Sequence, residues 1–184
     1  MGRVVIAVAL ATAVFLAGFA AGRASLPSAS EDRVVDPDAA AMRPGSEGDP
    51  IEIGSPAAVG PWEVEVTGFD PDAIDRVLAA NQFNVEPAEG QTYVTVEVSL
   101  TRRAAGPGIL RGSVAPALVT PSGRSFALGS DCGVISAPVD AERLLAQGEV
   151  LDGEWCWRVP VAEVDKVALR VGGTGGGAVW FAVR

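Results

Sequence analysis

Thr92-Tyr93-Val94-Thr95-Val96-Glu97-Val98-Ser99-Leu100-Thr101 is the stretch whose reading decides the fold. Tyr93, Thr95, Glu97 and Ser99 fall on one face, and Val94, Val96, Val98 and Leu100 on the other. Alternation at period two, in residues that are mostly β-branched or aromatic, marks a strand with one buried and one wetter face. Pro87 and Gly90 set the turn that feeds it. The chain is therefore built on a β-sheet.

Upstream of this strand, Trp62-Glu63-Val64-Glu65-Val66 alternates in the same way and is the first strand. Asp70-Pro71 opens a helical turn, with Asp70 as N-cap and Pro71 at the first helical position. Ile74, Val77 and Leu78 then give it one packing face up to about Ala80. This short helix is a crossover between strands, followed by irregular chain at Asn81-Gln82-Phe83-Asn84 with Phe83 buried.

Downstream, Arg102–Gly112 contains Gly106-Pro107-Gly108 and is a loop. Ser113–Thr120 is a strand in which Pro116 points to an edge or a bulge. It turns at Pro121-Ser122-Gly123-Arg124 into Ser125-Phe126-Ala127-Leu128. Glu142–Gly148 is a brief turn of helix or a tight connector. Asp152-Gly153 introduces a strand containing Trp155-Cys156-Trp157, and Val167–Val171 is the next. The run Gly172–Gly177 is a hairpin loop into Ala178–Val183; it lacks the Lys of a phosphate-binding loop and leads into a strand rather than a helix.

Ahead of the sheet, Met1-Gly2-Arg3 is a basic start and Val4–Gly22 runs without a charge. As a helix it would reach about 28 Å, close to the thickness of a bilayer core. Residues 1–24 are thus either a signal peptide, with Gly22-Arg23-Ala24 as a small-residue site before Ser25, or a transmembrane signal anchor. Residues 25–50, rich in Pro, Ala and acidic side chains, form a disordered linker, because they cannot bury enough surface to offset the entropy of ordering. The folded domain is 51–184, outside the cytoplasm: anchored by one N-terminal helix if uncleaved, otherwise secreted.

The whole chain carries 14 basic against 23 acidic side chains, a net charge of −9, and contains no histidine. The acidic balance argues against nucleic acid, which needs a basic face. Without histidine there is no Ser-His-Asp or Cys-His catalysis and no commonest metal ligand. No cofactor, catalytic residue or metal ligand is indicated. Glu63 and Glu65 could form a carboxylate pair, but two residues apart on an exposed strand face are usually just solvated. Arg102, Arg103 and Arg111 form the only local basic cluster and could receive an acidic partner; a solvated loop is the plainer reading.

Cys132 and Cys156 are the two cysteines. In an exported chain such a pair makes one structural disulfide, and a redox pair would sit as Cys-x-x-Cys, which is absent. Trp155 and Trp157 flank Cys156 and share the face opposite to it, either as half of the sandwich core or as a contact surface.

Seven or so short strands with regular turns and one long-range disulfide describe a mainly β, antiparallel sandwich. The order of the first strand, the helix ending in Ala79-Ala80-Asn81-Gln82-Phe83-Asn84, then Pro87, Gly90 and Tyr93-Val94-Thr95-Val96, continues through Cys132, Leu144, Gly148, Gly153, Cys156-Trp157-Arg158-Val159-Pro160 and Trp180-Phe181. It resembles the immunoglobulin-like extracytoplasmic domains of unknown function in actinobacterial lipoproteins and secreted proteins, which are related in fold to a small secreted mycobacterial immunoprotective antigen. The resemblance covers 51–184 and implies an immunoglobulin-like β-sandwich with one short crossover helix, preceded by an N-terminal apolar helix. It transfers no catalytic residues, and this chain lacks a lipobox cysteine.

The expected function is a non-enzymatic cell-envelope module mediating protein interaction at the outer face of the membrane. Its partners would be the membrane, through residues 1–24 if uncleaved, and an unknown envelope protein. The alternative is a small-ligand or substrate-binding accessory domain of a transporter or wall enzyme, favoured by a concave apolar pocket. A carboxylate-pair enzyme such as a glycosidase would need two carboxyls about 5–10 Å apart in a pocket.

Overall fold

The alternating stretch becomes β3 (Gln91–Arg102), an interior strand held on both sides. The computed structural model describes residues 43–129 and 132–184; the expected apolar helix within 1–24 and the linker up to residue 42 lie outside them. Among the described residues no helix is long and apolar enough to cross a membrane.

Around β3 the other strands are β1 (Pro56–Val59), β2 (Trp62–Asp70), β4 (Val114–Val119), β5 (Ser125–Ala127), β6 (Val150–Pro160), β7 (Ala168–Gly173) and β8 (Ala178–Phe181). They form two four-stranded antiparallel sheets in the orders β1-β2-β3-β6 and β5-β4-β7-β8. Between the sheets the inward faces meet: Val64, Val66, Val94, Val96, Val98, Leu100 and Trp157 from the first, Leu118, Leu169, Val171 and Phe181 from the second. Each set lies two residues apart along its strand, so the pleat alone delivers it to the core. The protein is mainly β, a two-sheet sandwich.

Pro116 sits in β4, which is interior, between β5 and β7. β1 was not foreseen; Pro-Ala-Ala-Val is short and weakly patterned, and it pairs only because Trp62–Glu65 lies beside it. The domain also begins before residue 51. The Gly45 N–H donates to the Asp49 carbonyl, and the Trp180 N–H donates to the Gly45 carbonyl. Ile51 bridges Phe181 in parallel. Residues 43–50, expected in the linker, are thus fastened along β8.

The helix α1 (Ile74–Ala80) starts later than expected. Asp70 is the last residue of β2, and its carboxylate accepts from the Asp72 N–H at 3.1 Å, closing an Asx turn rather than capping the helix. The helix lies on the outer face of the first sheet. There Val77 and Ala73 meet Tyr93, Cys132 and Cys156 in a second apolar cluster, separate from the core between the sheets. The face of β3 expected to be wet is therefore covered at its first half: Tyr93 and Thr95 are both buried. Beyond Thr95, Glu97 returns to solvent.

Candidate functional site

The disulfide Cys132–Cys156 joins the segment after β5 to the outer face of β6. Register alternation explains the geometry. Trp155, Trp157 and Val159 point into the inter-sheet core, so Cys156, between them, points outward beneath α1. The two tryptophans are packed edge-to-face, with ring centroids 6.5 Å apart, and both are buried. Of the two roles open to them from sequence, the structure takes the core, which removes them as contact anchors.

A second clasp holds the same region. The Asn84 side-chain amide donates to the carbonyls of Val77 and Val134, each at 2.6 Å, and its oxygen accepts from the Val134 N–H at 2.9 Å. Gly133 is required beside it: a Cβ there would lie 2.3 Å from the Asn84 oxygen, on a backbone at φ +67°. The Tyr93 hydroxyl donates to the Val85 carbonyl at 3.0 Å, fixing the other end of the loop. With Asn84 turned inward, its neighbours turn out. Phe83 is 80% exposed, Val85 69% and Val134 52%. Phe83 is therefore not the buried aromatic expected from its sequence setting; it and Val85 flank Asn84 in the chain, and Val134 is the residue that the Asn84 amide clasps.

On the β6 edge of the sandwich lies a cleft of about 230 Å³, walled by Leu110, Val114, Leu128, Ile135, Val139 and Trp155 and bordered by the disulfide. Its outer wall is set by backbone pairing. The Glu154 N–H donates to the Ala137 carbonyl and the Val139 N–H to the Glu154 carbonyl, which also covers part of the β6 edge. Gly153 permits this approach, since a Cβ there would come within 2.9 Å of the Val139 backbone.

The charged candidates from sequence do not assemble into chemistry. Glu63 pairs with Arg103 at 3.7 Å, on the outer face of β2. Arg102 lies over the Trp62 ring, 5.2 Å from its centroid, and Arg111 pairs with Glu142. The basic cluster is thus spread over separate partners. Sequence reading missed Arg76, which gathers three carboxylates around its guanidinium. It meets Asp70 at 3.5 Å, Glu97 at 3.3 Å and Glu154 at 3.2 Å, and donates to the Thr95 hydroxyl. One α1 side chain thereby ties the helix to β2, β3 and β6. Three carboxylates around one guanidinium leave that ensemble net negative, but each is neutralised in part by the shared cation, and Glu154 is the most enclosed. Among the described residues no three His, Cys, Asp or Glu side chains are grouped to hold a metal.

No protein-family model matches the chain, and no curated protein matches it. Solved structures do. A conserved hypothetical protein from Bacillus anthracis is similar at 12% identity and a TM-score of 0.50, over 72% of this chain and 95% of its own. An uncharacterized β-sandwich protein from Clostridium difficile 630 is similar at 12% identity and a TM-score of 0.47, over 74% and 95%. The yjhA protein from Bacillus subtilis gives 11% and 0.46, over 73% and 99%. Likeness at this identity extends to the fold alone: the chain is similar in architecture to the Bacillus anthracis protein.

Proposed function

We propose that this chain is an exported, non-enzymatic, immunoglobulin-like module of the cell envelope that holds a protein partner on the face formed by Phe83, Val85 and Val134. The observation that carries the reading is that three of the eight large exposed hydrophobics among the described residues lie at or beside the Asn84 clasp. Single exposed apolar residues are ordinary, whereas a grouped set marks a contact surface. An aromatic side chain at the centre of such a face is the commonest kind of anchor. The Asn84 clasp and the disulfide hold the loop before binding, which lowers the ordering cost of association.

The disulfide supports an oxidising compartment, and the apolar run at Val4–Gly22 supports export, as a cleaved signal or as an anchor. The test is a triple substitution, Phe83→Ser with Val85→Ser and Val134→Ser. Exposed side chains away from caps and cores change stability by about 0.5 kcal/mol or less each, so the variant should melt near the unaltered protein. Extracted gently from the envelope, the unaltered chain should run in a larger assembly and the variant alone. An unaltered chain that runs at its own mass would sink the reading.

A further inference from the structure

We infer that the cleft at the β6 edge is a binding site for the unbranched aliphatic tail of a small amphiphile, with the tail inside and the head at the rim. The inference does not rest on the contact face around Phe83, although the two sites adjoin: Gly133 and Ile135 line the cleft, and Val134 between them is exposed beside Asn84.

Three observations carry it. The walls named above are aliphatic or aromatic, and the cleft also takes in one face of the disulfide. Secondly, the ionic groups bordering it are already engaged: Glu154 with Arg76 on the far face of the sheet, and Arg111 with Glu142 at the exposed rim. Among the described residues a ligand charge would find no unengaged ionic partner inside, whereas a methylene chain would recover dispersion contacts that an open apolar cleft forgoes. Thirdly, the walls are pre-formed. The pairing of Ala137 and Val139 with Glu154 and the disulfide fix the outer wall, and β4 and β6 supply the inner one. A site that needs no ordering gives its contacts at little entropic cost. Size decides the class. At about 230 Å³ the cleft is smaller than the roughly 300–1,000 Å³ of sites for drug-sized ligands, and a sugar or nucleotide would leave its polar groups unmatched.

The experiment is a titration of the full chain with butanol, hexanol and octanol, followed by the methyl resonances of Leu110, Val114, Leu128, Ile135 and Val139. Saturable shifts confined to these residues are expected, with affinity rising about fourfold per added methylene until the cleft is full. Leu128 is 41% exposed at the rim, so Leu128→Trp should fold normally, occupy the cleft and abolish the saturable shifts. If that variant melts early, Ile135→Phe narrows the same space and must weaken octanol binding. Shifts that do not saturate, that centre on Phe83 and Val85, or that persist in the cleft-filling variants would overturn the inference. Phe83→Ser with Val85→Ser, neither of which lines the cleft, should lose partner assembly and leave this titration unchanged, so the two accounts fail separately.

Discussion

Trp157→Ala is expected to destabilise the folded chain by about 3–5 kcal/mol, as removal of a fully enclosed indole does when the surroundings cannot collapse. Trp157 is 2% exposed and belongs to the inter-sheet core that also holds Val94, Leu118 and Leu169. β3 holds it on one side through the Val94–Trp157 register pair. Trp157→Phe should cost less, about 1–2 kcal/mol, for two reasons. Most of the apolar volume is kept. The Trp157 Nε1 also finds no acceptor among the described residues, and removing a buried donor that lacks a partner offsets part of the lost packing. Urea denaturation of the two variants checks both values. An alanine variant within about 1 kcal/mol of the unaltered protein would mean that Trp157 is a surface residue and the strand register is wrong.

The double variant Cys132→Ser with Cys156→Ser should lose about 3.5 kcal/mol, from the closure entropy of a loop whose ends are 24 residues apart. The loss should also be local in character. Cys132 and Cys156 belong to the cluster that holds Ala73, Val77 and Tyr93 on the outer face of the first sheet, not to the core between the sheets. Amide exchange at Val77 and in 132–135 should therefore quicken far more than in β4 and β7. Two reactive thiols in the native protein would refute the pairing. Equal quickening everywhere would refute the separation of the two clusters.

How far the sequence could be read depended on the range of the contacts involved. Val94 to Leu100 and Val64 to Val66 alternate because the pleat does, and the pleat is local; both strands and their inward faces were legible from that alone. The outer face was not. Tyr93 and Thr95 look like the wet side of a half-buried strand, and become buried because α1 with its N-cap lays Ala73, Arg76 and Val77 over that face and Cys132, 24 positions before its partner, brings a loop beside them. Phe83 looked like core because an aromatic beside a helix usually is. What turns it outward is Asn84, whose amide finds its mates at Val77 and Val134, the latter 50 positions away. Asn-Gly-type spacing gives no hint of such a clasp, although Gly133 beside it is a trace that only the structure makes meaningful. Asp70 failed as a cap for a simpler reason: its carboxylate serves a turn at the end of β2 just as well as a helix start. The contact face and the cleft both arise from the disulfide-fastened 132–139 segment, and neither is written in any contiguous motif.

Site-specific photocrosslinking in intact cells of the source organism tests the contact face most directly. A photoreactive residue is placed at position 83 and, for comparison, at position 150. Val150 is also exposed and pairs with Thr101, eight register steps along the β3–β6 ladder from Tyr93, about 26 Å away. A discrete adduct from position 83, absent from position 150 and weakened by Val134→Ser, is the predicted result. No adduct from position 83, or the same adducts from both positions, would contradict the account.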